Sequence, residues 1–153
     1  DADRLDFGSH MQVAYCGIPH VSKDINSRWV TAFVQGKNRT VFAQIIELTR
    51  AFYTAIQNKA YAEAADLMIR ETRLRLDMTQ DVLDETGKKL FDAACDLYCG
   101  ARFTGAGGGG CLWAVGGKKE IVSLTQSWQS ILEPIPDAEL LNTCIDPEGI
   151  LIV

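Results

Sequence analysis

From Thr40 onward, Val41, Phe42, Ile45, Ile46, Thr49, Phe52, Tyr53 and Ile56 recur at helical spacing. That pattern predicts a long helix with one face committed to a core and a stop near Asn58. A second helical stretch runs from Tyr61 to about Leu76 and puts Tyr61, Ala64, Ala65 and Met68 on its buried face. Its basic run, Arg70, Arg73 and Arg75, reads as a solvated end set favourably against the helix dipole. Upstream, Met11 to Cys16 is a strand stopped by Gly17-Ile18-Pro19, and Leu5 to Phe7 reads as the end of an earlier strand. Ser22 and Asp24 are N-cap candidates for a helix through Trp29, Val30 and Phe33 to about Gln35, with Gly36 as its stop.

Thr79-Gln80-Asp81 opens a fourth helix that breaks near 85–87, because Gly87 in a helix interior costs about 1 kcal/mol relative to alanine. Helix resumes at Lys88 and delivers the chain to Gly100. There the period changes. Ala101 to Thr104 and Cys111 to Val115 are short strands around a glycine-rich loop, and Lys118 to Ile131 is a helix with Ile121, Leu124, Trp128 and Ile131 on one face. Pro134 and Pro136 end it, and Leu140 to Ile145 and Ile150 to Val153 read as strands joined by Asp146-Pro147-Glu148-Gly149. Strands this far apart must pair in one sheet with helices stacked on a face, so the fold class is α+β.

Length and composition narrow this only a little. The 153 residues suit one domain, with 47% hydrophobic and 23% charged residues as expected for a folded chain. The chain does not open on methionine and reads as part of a longer polypeptide. A net charge of −5 disfavours a nucleic-acid partner. No apolar run approaches the roughly 20 residues of a membrane span. Cys16, Cys95, Cys99, Cys111 and Cys144 include no CxxC pair, so reduced thiols and a cytoplasmic setting are expected and no metal site is.

The sharpest feature is the segment from Gly100 to Cys111, which contains four consecutive glycines. Such a run is entropically costly and buries no side chain, so something must require a backbone without Cβ atoms. A two-residue hairpin turn needs one or two glycines. Two compatible uses remain: a cradle whose amides meet phosphate oxygens, or a surface against which another backbone packs. The formal GxGxxG match at 105–110 is followed by an apolar run instead of an amphipathic helix, which argues against a dinucleotide fold.

Phe103-Thr104-Gly105-Ala106-Gly107-Gly108-Gly109-Gly110-Cys111 closely resembles the third signature motif of the GHMP kinases, the family of galactokinase, homoserine, mevalonate and phosphomevalonate kinases. The resemblance implies a C-terminal domain spanning 1–153, with a ferredoxin-like sheet and helices packed on one face. It also implies an N-terminal kinase domain as partner, which carries the phosphate loop and the carboxylate and lysine near the acceptor hydroxyl, so no catalytic residue is expected here and the isolated chain should be inactive. Thr104, Gly105, Ala106, Gly107, Gly108, Gly109 and Gly110 are the implied nucleotide-facing residues, with the amides of 107–109 as contributors to ATP, whose Mg²⁺ is held mainly by the other half.

Tyr15-Cys16-Gly17-Ile18-Pro19-His20-Val21-Ser22 resembles the strand and loop that open this domain in sugar and heptose-phosphate members. Gly17 and Ser22 align, while Cys16 and His20 stand where those members carry threonine and arginine. Gly17, His20, Ser22 and Asp24 are therefore the acceptor-binding candidates, with an ordinary surface histidine and helix capping as the competing explanations for His20 and for Ser22 and Asp24. The implied activity is transfer of the ATP γ-phosphoryl group to a hydroxyl of a sugar or sugar phosphate. A mevalonate-type acceptor and a noncatalytic binding module on the same fold are the alternatives.

Overall fold

A computed structural model describes residues 2–19 and 23–146, without the side chains of residues 2, 23 and 24. Helix α1 (Ala2–Gly8) leads into strand β1 (Met11–Tyr15), followed by α2 (Lys23–Val34), α3 (Arg39–Gln57), α4 (Tyr61–Met78), a 3₁₀ turn (Gln80–Val82) and α5 (Glu85–Asp96). Strands β2 (Gly100–Phe103) and β3 (Cys111–Val115) flank the glycine loop, and α6 (Lys118–Leu132) and β4 (Glu139–Leu141) complete the described chain. The four strands form one antiparallel sheet in the order β2-β3-β1-β4. Two strand-helix-strand passes whose strands interleave in this way give the ferredoxin-like arrangement expected from the sequence.

Strand alternation assigns the faces. Ala14, Ala101, Phe103, Leu112 and Ala114 point to one side, where α5 supplies Leu90, Phe91 and Ala94 and α6 supplies Ile121, Leu124, Trp128 and Leu132. The Trp128 indole is fully buried and donates to the Leu90 carbonyl at 2.9 Å, tying the two helices together beneath the sheet. The α3–α4 pair builds a second core with Leu48, Ala55, Tyr61, Leu67 and Met68 against Val115 and Trp113 on the opposite side. Phe52 meets Trp113 edge-on at 6.1 Å there. Helix α4 also covers the β2 edge: Thr72 Oγ1 donates to the Ala101 carbonyl at 2.9 Å, and Gly100 lies so close to the Ala65 backbone that a Cβ has no room. A covered edge cannot template strand addition.

Four local expectations change. Leu5 to Phe7 is helix, because three residues of mixed polarity carry too little periodicity to separate the two periods. Gly87 sits inside α5, yet at its third position, where its amide donates to the Asp84 N-cap carboxylate at 2.6 Å. A Cβ there would lie 3.3 Å from Leu83 and 3.4 Å from Leu112, so glycine allows the first turn to seat on the core. Arg75 is not solvated; it pairs with Glu71 and lies 4.9 Å over the Trp29 ring. Strand β4 is shorter than predicted, and the expected turn beyond Asp146 and the expected strand from Ile150 to Val153 lie outside the described residues. Among the described residues, no helix is long and apolar enough to cross a membrane.

Candidate functional site

The base of the glycine loop is closed by Thr104, whose amide donates to the Cys111 carbonyl at 2.9 Å and whose hydroxyl meets the same oxygen at 3.2 Å. Beyond it, Gly107, Gly108, Gly109 and Gly110 all have positive φ, between 78° and 111°. A run of L residues with side chains would be strained at every step.

Two main-chain segments grip this run. The Val82 carbonyl, at the end of the 3₁₀ turn, accepts the Gly108 amide at 2.8 Å, and a Cβ on Gly107 would collide with that same carbonyl. On the other side, the Ile18 carbonyl accepts the Gly110 amide at 2.8 Å while the Gly110 carbonyl accepts the Cys16 amide at 2.9 Å. A Cβ on Gly109 would stand 3.1 Å from the Ile18 carbonyl and 3.2 Å from that of Pro19. Ala106 turns its methyl into the core and is 5% exposed. Close packing against backbone, one of the two uses read from the sequence, therefore operates at 107 and 109.

The other use is narrowed by the same bonds. The Gly108 amide is committed to Val82, which removes it from the expected contributors. Among the described residues, the amides of Gly107 and Gly109 make no hydrogen bond within the protein, and a Cβ on Gly105 (φ 66°) would meet nothing within 4 Å. The loop is thus clamped over 107–110, where Gly107 and Gly109 are buried, and exposed at Thr104 and Gly105.

Gly17, at φ 79°, has a packing reason of its own, since a Cβ there would lie 2.6 Å from the Pro136 carbonyl and 3.2 Å from Ala138. His20 and Ser22 lie outside the described residues, and Asp24 occupies the second position of α2 with its side chain likewise outside them.

A cleft of about 650 Å³ opens beside Gly108, within the range of small-molecule pockets. Ile25 and Leu83 form part of its apolar wall, and Arg28, Asp81, Thr86 and Lys88 are among its polar ones. Arg28 Nη2 reaches both Asp81 oxygens, at 2.8 and 2.7 Å, bridging α2 to the 3₁₀ turn. This hydrogen bond holds the Asp81 carboxyl below its usual range against a smaller opposing effect of burial. Both side chains are half-exposed or more, so solvent screens the pair. A second groove, about 580 Å³ between α3 and α4, shares no residue with the loop.

The thiols offer no nucleophile at this site. Burial, with smaller contributions from Asp84 and Cys111, pushes Cys16 up to about 12, and burial does the same for Cys99. Neither is a thiolate at neutral pH. Among the described residues, no three His, Cys, Asp or Glu side chains come together as metal ligands would. The Val82 carbonyl and the Arg28–Asp81 bridge were missed by sequence reasoning. Val82 carries no local signal, because its role depends on a contact with a loop far along the chain.

No family model matches the sequence, and no curated protein matches it. Solved structures do. The chain is similar to Streptococcus pneumoniae phosphomevalonate kinase in complex with phosphomevalonate and AMPPNP, with a TM-score of 0.70 and 20% identity over 86% of this chain and 38% of that one. It is also similar to the Lin0012 protein from Listeria innocua (TM-score 0.70, 18% identity, 86% and 38% covered). A mevalonate kinase matches at a TM-score of 0.62 and 17% identity over 92% of this chain and 42% of its own. At these identities the likeness establishes the fold. That fold is one found in phosphomevalonate and mevalonate kinases, members of the GHMP kinases whose third motif the glycine loop resembles. The chain spans less than half the length of these structures.

Proposed function

We propose that this chain is the C-terminal half of an ATP-dependent small-molecule kinase, with the glycine loop facing the nucleotide phosphates or bracing the loop that holds them. The observation that carries the reading is the two-sided clamp at 107–110, which fixes the main chain while leaving the amides of Gly107 and Gly109 without a hydrogen-bond partner among the described residues. Fixed amides are suited to anionic oxygens because their orientation costs nothing at the moment of binding. Thr104, Gly105 and Ala106 would border the same surface, and side chains are absent where a triphosphate would approach. ATP would supply the phosphoryl group. Mg²⁺ would be held by the phosphates and mainly by the N-terminal domain, as the family resemblance implies.

Phosphoryl transfer asks the protein mainly for positioning and charge stabilisation. In this half, the 3₁₀ turn and the segment after β1 position the loop, while the cleft beside Gly108 receives an acceptor. A sugar or sugar-phosphate hydroxyl is the first acceptor reading, carried by the likeness of Gly17 and Ser22 and their neighbours to sugar and heptose-phosphate members. A mevalonate-type acceptor is the second, supported by the phosphomevalonate and mevalonate kinases among the similar structures.

The test offers the full-length polypeptide ATP and Mg²⁺ with sugars, sugar phosphates, mevalonate and phosphomevalonate, and reads phosphorylated product by mass spectrometry. One acceptor class is expected to be phosphorylated. Binding of ATP or an acceptor without transfer would favour a noncatalytic module on the same fold, and absence of both would overturn the proposal.

A further inference from the structure

Between α4 and strand β2, which leads into the glycine loop, lies a charged cluster around Glu71. Glu71, on α4, is 5% exposed. One of its oxygens takes the Arg75 guanidinium, and the other stands 3.3 Å from Arg102 Nε. The second contact is a charge contact without hydrogen-bond geometry, which leaves Glu71 Oε2 and Arg102 Nε sealed and otherwise unpartnered. Burial depresses the Arg102 guanidinium below its ordinary range, while Glu71 opposes that shift. A well-packed apolar trio would be as stable in such a place, so stability alone does not account for the cluster.

Two arms lead from this one carboxylate to the loop. In the first, Arg75 lies over the Trp29 ring, and Trp29 Nε1 donates to Thr79 Oγ1 at 2.8 Å. Thr79 immediately precedes the 3₁₀ turn whose Val82 carbonyl holds the Gly108 amide. In the second, Arg102 belongs to β2 and is followed by Phe103, which packs against Trp29 at 6.5 Å and runs directly into Thr104. The arms meet the loop at its clamp and at its entry, and each depends on Glu71.

We infer that Glu71 is a positioning residue that sets the 3₁₀ turn and strand β2 relative to each other, and thereby fixes the glycine loop from both sides. The consequence for ATP rests on the kinase reading above. The consequence for the loop does not.

The deciding measurement is hydrogen exchange in the full-length polypeptide, followed by mass spectrometry over peptides covering 100–103, 104–111 and 121–132. Glu71→Gln keeps the shape and removes the charge. It is expected to accelerate exchange over 104–111 by about tenfold while leaving 121–132 unchanged, the signature of local and not global opening. Thr72→Val removes the neighbouring α4–β2 hydrogen bond at Ala101 while leaving both Glu71 contacts in place, and should accelerate 100–103 while sparing 104–111. If Glu71→Gln does not fold, Arg75→Lys, which retains the charge and loses the guanidinium over Trp29, should give the same pattern more weakly. Unchanged exchange at 104–111, or equal acceleration of every peptide, overturns the inference.

On the kinetic side, Glu71→Gln should raise KM for ATP several-fold with kcat retained, and Glu71→Asp should recover part of the loss. A fall in kcat with KM unchanged would contradict a positioning role. A wild-type polypeptide that phosphorylates nothing would count against the kinase reading alone, with exchange still deciding the role of Glu71.

Discussion

The β1–β3 pair is closed at both ends, by different means. At the Met11–Val115 end the Gly116 amide donates to the His10 carbonyl at 3.1 Å, and the His10 ring adds a 2.7 Å bond from Nδ1 to the Gly116 carbonyl. That ring stacks on Tyr61 with centroids 3.5 Å apart, and the Tyr61 hydroxyl reaches Asp6, which Lys118 also holds at 2.7 Å. At the Tyr15–Cys111 end, main chain grips main chain through Val82, Ile18 and Cys16. Side chains seal one end and have been removed from the other. The difference shows two ways to close a strand pair: with packed side chains, or with main chain held by main chain and no side chain on it.

The largest expected effect tests whether the clamp depends on missing Cβ atoms. Gly107→Ala would drive a methyl into the Val82 carbonyl at φ 82°, whereas Gly105→Ala places one in open space at φ 66°. Urea unfolding should show a loss of about 3 kcal/mol or more for the first and about 1–2 kcal/mol for the second, which suffers only left-handed strain. Equal losses would mean that the conformation, not the contact with Val82, demands glycine.

That contrast also marks how far the sequence could be read. Strand β3 and the spans of α3 and α6 follow from periodicity, because each has one apolar face and a clear stop. The glycine run announces that a backbone must be bare, and its likeness to a kinase motif points to the fold. What stays hidden is the partner. Nothing near Val82 marks it as the residue that holds Gly108, and nothing in Glu71, Arg75 and Arg102 distinguishes them from a solvated charge run. Asp84 was equally silent, though it explains how Gly87 can sit in a helix. These facts depend on long-range contacts, and local patterns do not encode them.

A smaller effect separates the two ends by function. Because a carbonyl can only accept, His10 Nδ1 carries the proton in its bond to Gly116. His10→Ala removes that bond and the stacked ring, and should cost about 2 kcal/mol in urea unfolding. Exchange over 104–111 should stay at its wild-type rate under native conditions, since no arm of the clamp passes through His10. Faster exchange confined to 104–111 would show that the two closures communicate through β1 and β3, and the comparison would lose its force.

The smallest effect concerns pH, and its sign follows from the same division. The hydrogen bond from Lys118, with further help from its charge, the Tyr61 hydroxyl and Lys59, holds the Asp6 carboxyl below its ordinary 3.8, while burial opposes the shift. A carboxyl depressed in the folded state contributes stability above the unfolded value, and that contribution is lost as pH falls through the folded one. The side-chain end should therefore loosen below about pH 4. At the loop end, the Gly108 and Gly110 bonds involve no titrating group. The acid-sensitive pair there, Arg28–Asp81, joins α2 to the turn and is well exposed. Asp6→Asn should slightly lower the urea midpoint at pH 7 and flatten its decline between pH 4 and pH 3, because the variant has no proton to take up at that position. Curves that stay parallel down to pH 3 would place the acid sensitivity elsewhere, with Asp81→Asn as the next variant to compare.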